Sequence, residues 1–336
     1  MIARASHELL EAREPAELRG HGRDDVRLLV AHRDGSIVHA RFPELPELLA
    51  PGDLLAINTS ATLPAALPVR GTELRLHLSS PAPGRGDGAW LVELRRRAER
   101  FGGGAEGDVL LLPAGGTAVL LERDPGGRLW LASLRLPAPV PHYLARHGEP
   151  IRYRHAAEEW PLERYQTVYA NAPGSAEMPS AGRAFTPELV TQLVAAGIDV
   201  APLVLHTGVS SLEAGETPHA EWYRVPRFTA KRVNLARELG GRVIAVGTTA
   251  VRALESASGE DGRVREREGW TDLVIEPDTA IRAIDGLLSG FHDRDSSHLA
   301  MLEAIAGADL LERSYEEAEA AGYLRHEFGD LHLILR

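Results

Sequence analysis

A chain of 336 residues, with 44% hydrophobic and 25% charged residues, has ordinary globular composition and enough apolar material for one large domain and a smaller one. It contains no cysteine, which excludes a disulfide framework, a thiolate nucleophile and any Cys-based zinc or iron–sulfur site. The formal net charge of −11 argues against a broadly basic nucleic-acid surface, and Lys231 is the only lysine among 37 basic residues.

The N-terminal stretch is charged throughout and lacks the apolar centre of a signal peptide. No window approaches the roughly 18 apolar residues of a membrane span, so a cytoplasmic location and no membrane partner are expected. A monomer is the default expectation.

In chain order, VRLLVA (26–31) and IVHA (37–40) flank the turn-forming Asp34-Gly35 and read as a hairpin. Pro51-Gly52 precedes DLLAIN (53–58), a buried strand. From 65 to 150 the texture changes to short apolar or alternating runs separated by Gly and Pro clusters, which suggests a small antiparallel β-barrel-like domain. That block reads as an insertion into an α/β major domain built from 1–64 and 151–336. Within the latter, 187–196 has helical apolar spacing, with Thr186 as N-cap, Pro187 in the first turn and Gly197 as C-cap. Strands are expected at 198–206 and 242–246, helices after 248, at 298–308 and at 315–322, and a strand at the C-terminus.

Chemistry concentrates at four places. At Gly247-Thr248-Thr249 a buried strand feeds a helix whose first N–H groups lack partners, which suits a carboxylate or phosphate. Thr248, Arg252 and Glu255 share one face of that helix, with Arg252 as counter-charge; the plainer reading is a capped helix carrying a surface Arg–Glu pair. His206, Thr207 and Gly208 end an apolar strand, where α/β domains usually bind ligands. His219 and Glu221 stand two apart on an extended segment and suit acid–base work, whereas no third ligand at metal spacing is evident and no metal is expected. Residues 289–298 are dense in polar groups ahead of a helix, with Ser296 or Ser297 as N-cap. Neither a P-loop nor a GxGxxG fingerprint nor a GxSxG elbow is present.

Several dispersed segments then occur in a common order: DLLAINTSATLPAAL (53–67), PHYL (141–144), YQTVYA (165–170), GSAEMPSAGRAFT (174–186), LHTG (205–208), HAEWYRV (219–225), AVGTTAVRALE (245–255), GWTDLVIEP (269–277), SGFH (289–292) and FGDLHLIL (328–335). Together they resemble the S-adenosylmethionine:tRNA ribosyltransferase-isomerase family of queuosine biosynthesis over nearly the whole chain. The resemblance implies an α/β domain with an inserted β-barrel-like module. It also implies transfer and isomerisation of the ribosyl moiety of S-adenosylmethionine onto the aminomethyl-deazaguanine of tRNA, giving epoxyqueuosine with release of adenine and methionine. The sulfonium supplies its own electrophilic activation, so no cofactor is expected beyond S-adenosylmethionine as substrate.

By the same resemblance the acid–base candidates are His206, His219, Glu221 and His292. S-adenosylmethionine would be met by Tyr165, Gln166, Gly182, Phe185, Thr186, Gly208, Gly247, Thr248, Thr249, Arg252, Glu255 and Phe291, with Tyr165 or Phe185 stacking on adenine or facing the cation. Arg183 and Arg294 would meet the tRNA or another acceptor. The family's NDTRVIPARL pattern appears here as residues 58–67, with Ala61 and Ala66 in place of two arginines. Its GLHFT appears as residues 182–186, with Ala184 in place of histidine. Loss of cations runs against gripping a phosphate backbone. A non-tRNA acceptor, or a protein that binds S-adenosylmethionine without turnover, therefore stands beside the family reaction.

Overall fold

The computed structural model describes residues 9–97, 99–152, 158–209, 219–293 and 296–336. The chain folds as mixed α/β with a separate curled antiparallel sheet. Among the described residues the main sheet has nine strands. From one edge to the other they are Arg267–Thr271, Glu221–Val225, Asp199–Leu205, Leu54–Asn58, Val243–Val246, Gly286–Gly290, Leu331–Leu335, Arg27–His32 and Ile37–Arg41.

The four strands from Asp199–Leu205 to Gly286–Gly290 run parallel, so their C-terminal ends share one edge of the sheet. They are buried on both faces, which explains why residues 53–58 read as a continuous apolar run rather than an alternating one. Leu54 and Ala56 point to one core, Leu55 and Ile57 to the other. The first core is closed by the helices Arg227–Glu238, Thr248–Ala257, Ser297–Ala306 and Ala308–Ala320, the second by Pro187–Ala195 with Phe42 and Leu45.

Local chemistry sets the boundaries. Thr186 accepts from the Leu189 amide at 3.0 Å and Pro187 opens the helix, as the sequence implies. The cap at the other end falls on Ala196, and Gly197 follows it with φ +81°. Ser296 caps the helix Ser297–Ala306, accepting from the Leu299 amide. The expected helix at 315–322 begins earlier, spanning Ala308–Ala320, because Gly307 separates two helices that pack on each other. The hairpin at Asp34-Gly35 forms as expected. Elements without a clear pattern in the sequence include the helices Val140–His147 and Arg227–Glu238, the central strand Gly286–Gly290 and the edge strand Arg267–Thr271.

The second sheet takes its main strands, in order, from Val109–Leu111, Thr117–Arg123, Trp130–Arg135, Ala89–Arg96, Leu74–Pro81 and Ala66–Pro68. Its end strands do not pair in register, although the Arg70 amide donates to the Leu111 carbonyl at 2.8 Å. The sheet is thus a half-barrel curled around its own core of Leu67, Leu76, Val92, Leu120 and Ala132. A bulge between Leu78 and Ser80 interrupts its pairing, and there the Ser79 Oγ accepts from the Val209 amide at 2.9 Å.

Two deeply buried histidines burden the fold in acid. Burial drives both His77 and His332 down to about 3, with Arg95 and Arg75 adding to the effect at His77. His332 stacks on Phe291 with ring centroids 5.3 Å apart, and among the described residues neither ring nitrogen has a hydrogen-bond partner. A histidine whose folded pKa lies below its unfolded value contributes full stability above about pH 6.5 and loses it as pH falls toward the folded value. The melting temperature is therefore expected to fall steadily from pH 6.5 to pH 4. His332→Phe should shallow that decline in scanning calorimetry without lowering stability at pH 7; an unchanged acid limb would contradict this account.

Candidate active site

The chemistry-bearing segments meet at the shared C-terminal edge of the parallel strands, the usual ligand position in such sheets. Asn58 organises this edge. Pairing between its strand and Asp199–Leu205 ends at Asn58, and the side-chain amide continues it. Asn58 Nδ2 donates to the Leu205 carbonyl at 2.8 Å and to Thr249 Oγ1 at 3.1 Å. Its Oδ1 accepts from the amides of Leu205 and Ser60, both at 3.0 Å. All four hydrogen-bonding positions of the buried amide are filled.

His206 follows directly. Trp222 stacks on its ring at 5.2 Å and 21°, and the Gly174 backbone lies over the ring so closely that any Cβ there would overlap it. His206 Nδ1 lies 2.7 Å from Ser60 Oγ, which lies 2.6 Å from Ser175 Oγ; the Thr207 amide donates to Ser175 Oγ at 3.0 Å. Among the described residues Nε2 has no partner. Desolvation, aided by Arg224, pulls the imidazole down to about 4, so it is neutral at pH 7.

Glu221 opens the neighbouring strand. Its Oε1 accepts from the Gly208 amide at 2.9 Å and its Oε2 pairs with Arg252. Burial raises the carboxyl above the ordinary range despite the charge of Arg252. Arg252 also donates to the carbonyls of Leu273 and Thr271. The guanidinium is thus spent on Glu221 and two carbonyls, and the sequence pairing with Glu255 does not form. Glu255 instead accepts from the backbone amides of Arg282 and Ala283. His219 Nε2 approaches Asp124 of the half-barrel at 3.7 Å and still acts on the Glu221 carboxyl through its charge. Among the described residues no hydrogen bond joins the two.

The helix start at Gly247 is backbone-built: Gly247 has φ +89°, no side chain caps the helix, and Thr248 is buried. Beyond it, His292 Nε2 lies 2.8 Å from Ser289 Oγ, and its ring lies 4.6 Å from that of His298. Desolvation, then the neighbouring histidines, hold His292 well below its usual range. Desolvation and Arg252 bring His298 to about 4. Phe291 is buried between Tyr315, Tyr323 and His332.

Other sequence candidates form the wall behind this edge. Tyr165 is buried against Phe328, and Phe185 packs edge-on to Phe42 and Tyr169, so neither ring is open for stacking. Gln166 pairs with both backbone groups of Thr62, at 3.0 and 2.7 Å. Gly182 lies flush against the Tyr169 hydroxyl, and Thr186 is the helix cap described above. Arg183 is 3% exposed and grips both Glu17 oxygens at 2.8 and 2.9 Å, with its guanidinium over Phe328. Burial would raise the Glu17 carboxyl, but the hydrogen bond and charge of Arg183, with a backbone hydrogen bond and Arg23, together hold it below the usual value. Arg294 lies outside the described residues.

Sequence reading missed Asn58, Ser60, Gly174, Ser175 and Trp222. All five lie inside the quoted motifs, but small polar residues and glycines gain meaning only when four segments meet.

Removing one member of the Glu221–Arg252 pair leaves a buried charge uncompensated, which typically costs about 3–5 kcal/mol. Arg252→Ala is expected to lower unfolding free energy by about 3 kcal/mol in urea titration, and Arg263→Ala, on an exposed pair, by less than about 1 kcal/mol. Equal effects would refute the burial argument. Gly174→Ala should displace the His206 ring and shift its NMR signals while leaving the far side of the sheet unchanged.

A family model described as queuosine biosynthesis protein matches residues 6–334. A Symbiobacterium thermophilum protein named S-adenosylmethionine:tRNA ribosyltransferase-isomerase is 39% identical over 340 residues, covering 97% of this chain and 96% of that protein. A Desulfitobacterium hafniense protein of the same name is 37% identical over 332 residues, covering 93% and 94%. The crystal structure of an S-adenosylmethionine tRNA ribosyltransferase from Thermotoga maritima superposes with a TM-score of 0.55 at 31% identity, covering 98% of each chain. The chain belongs to the queuosine biosynthesis protein family.

Proposed function

We propose that this chain is the family's enzyme: it moves the ribosyl part of S-adenosylmethionine onto the aminomethyl group of a deazaguanine in tRNA, releasing adenine and methionine. The observation that carries this reading is the meeting of Asn58, His206, Gly247–Thr249 and Phe291-His292, drawn from four segments of the family-matched chain, at one edge of the parallel sheet.

The reaction needs a proton removed beside the sulfonium, help for departing adenine, and a grip on the methionine ends. His206, Glu221 and His292 are acid–base groups at the edge, and environment separates them: two neutral imidazoles and a carboxyl held above its usual range. The helix-start amides of Thr248 and Thr249 suit the methionine carboxylate, while the Gly247 amide is taken by the Leu288 carbonyl at 2.8 Å. The sulfonium activates the ribose itself, so the chemistry calls for no further cofactor. Tyr165, Gln166, Gly182, Phe185 and Thr186 shape the wall from behind, and Arg183 holds that wall through Glu17 rather than meeting the acceptor. His219 works from the half-barrel side.

On this reading residues 65–150 form an inserted β-barrel-like domain in an α/β domain of 1–64 and 151–336. Ser79 and Arg128, which bonds the Val209 carbonyl at 2.9 Å, join the two beside the site. A reaction on tRNA belongs in the cytoplasm.

The reading is tested by following adenine release from S-adenosylmethionine with and without precursor-bearing tRNA. Release that depends on tRNA is expected. Release with another amine alone would transfer the reading to a different acceptor, and none under any condition would remove it. His206→Ala and Glu221→Gln should each lower turnover by about 10²-fold or more.

A further inference from the structure

Deepening the reading above, and resting on it for the reaction concerned, we propose that Ser175 and Ser60 are positioning residues that fix the neutral His206 ring with its proton on Nε2. His206 then meets the substrate as a hydrogen-bond donor, and abstraction of the sulfonium-side proton falls to another group.

The argument is one of hydrogen-bond direction. The Thr207 amide can only donate, so Ser175 Oγ accepts from it. Ser175 is fully buried and, among the described residues, its one remaining hydrogen-bond partner is Ser60 Oγ at 2.6 Å, so its hydroxyl hydrogen goes there. Ser60 Oγ, having accepted, turns its own hydrogen to His206 Nδ1 at 2.7 Å. Reversing the chain would leave the Ser175 hydroxyl hydrogen buried without an acceptor, which costs more than the bond it replaces. Nδ1 is therefore an acceptor, and the proton of the neutral ring sits on Nε2.

The ring cannot escape by turning over. Trp222 covers one face and the Gly174 backbone the other. Nε2 is the nitrogen left without a protein partner among the described residues, on a ring that directly follows Leu205, which Asn58 bonds together with Thr249. A neutral imidazole offering N–H stabilises negative charge developing on a bound group without itself gaining charge.

The test begins with the resting protein. In 15N-histidine-labelled protein at pH 7, with the His206 signals assigned by their loss in His206→Asn, long-range 1H–15N correlation should show a protonated Nε2 and a bare Nδ1. A protonated Nδ1 would overturn the proposal. Ser60→Ala should mix the tautomers and lower kcat by tenfold or more, with KM for S-adenosylmethionine changed less than twofold. Ser60→Thr, which restores a hydroxyl, should recover both. An unchanged tautomer and kcat in Ser60→Ala, in protein whose circular dichroism matches the parent, would also overturn it. Should Ser60→Ala fail to fold, Ser175→Ala carries the same expectations. The NMR readout needs no turnover, so failure of the tRNA reaction itself would leave the tautomer assignment decided separately.

Discussion

The saturated amide of Asn58 is the constraint from which the functional edge follows. Two parallel strands and a helix start must converge there, and the backbone groups released where pairing stops would otherwise be buried without partners. One side chain satisfies them, donating to Leu205 and Thr249 and accepting from Leu205 and Ser60. It thereby sets where Ser60 stands, hence where the His206 ring is held, and it ties that ring to the helix start at Gly247. An aspartate at this position would lose both donors, and an apolar residue would lose all four bonds.

A second level of fixation comes from charge placed against burial. Glu221 and Arg252 join the strand Glu221–Val225 to the helix Thr248–Ala257, while backbone groups of Gly208, Thr271 and Leu273 complete the pair's hydrogen bonding. Behind the sheet, Glu17 gathers Arg183, Arg164 and Arg23. Arginine suits such sites because its planar fork can satisfy several oxygens at once. In this chain the Arg-rich composition thus has structural employment.

The parts of the fold written in local pattern were legible in the sequence. Residues 54–58 and 243–246 announce themselves as buried strands, Thr186-Pro187 opens a helix, and the Gly- and Pro-punctuated strands before 135 give a curled antiparallel sheet. Arg227–Glu238 was not legible, because its apolar face is only Ala230, Val233 and Ala236 amid polar residues. At the site, His206, Glu221 and Gly247–Thr249 stood out as chemistry at strand ends. The partner of Arg252 did not, since helical spacing points to Glu255 whereas tertiary packing supplies Glu221. Nor did the burial of Tyr165 and Phe185, whose aromatic character says nothing of whether a ring faces a ligand or a core.

The sheet's connectivity bears on how the molecule assembles. Among the described residues the hairpin Arg27–Arg41 joins the main sheet through Leu331–Leu335, and Asp330 clasps Arg27 across 303 residues. During synthesis that early hairpin has no docking place in the main sheet until the last strand has emerged. Its exposed edge must wait through most of translation, which makes completion of the central sheet a late, long-range closure and the waiting hairpin the segment most in need of protection from mispairing.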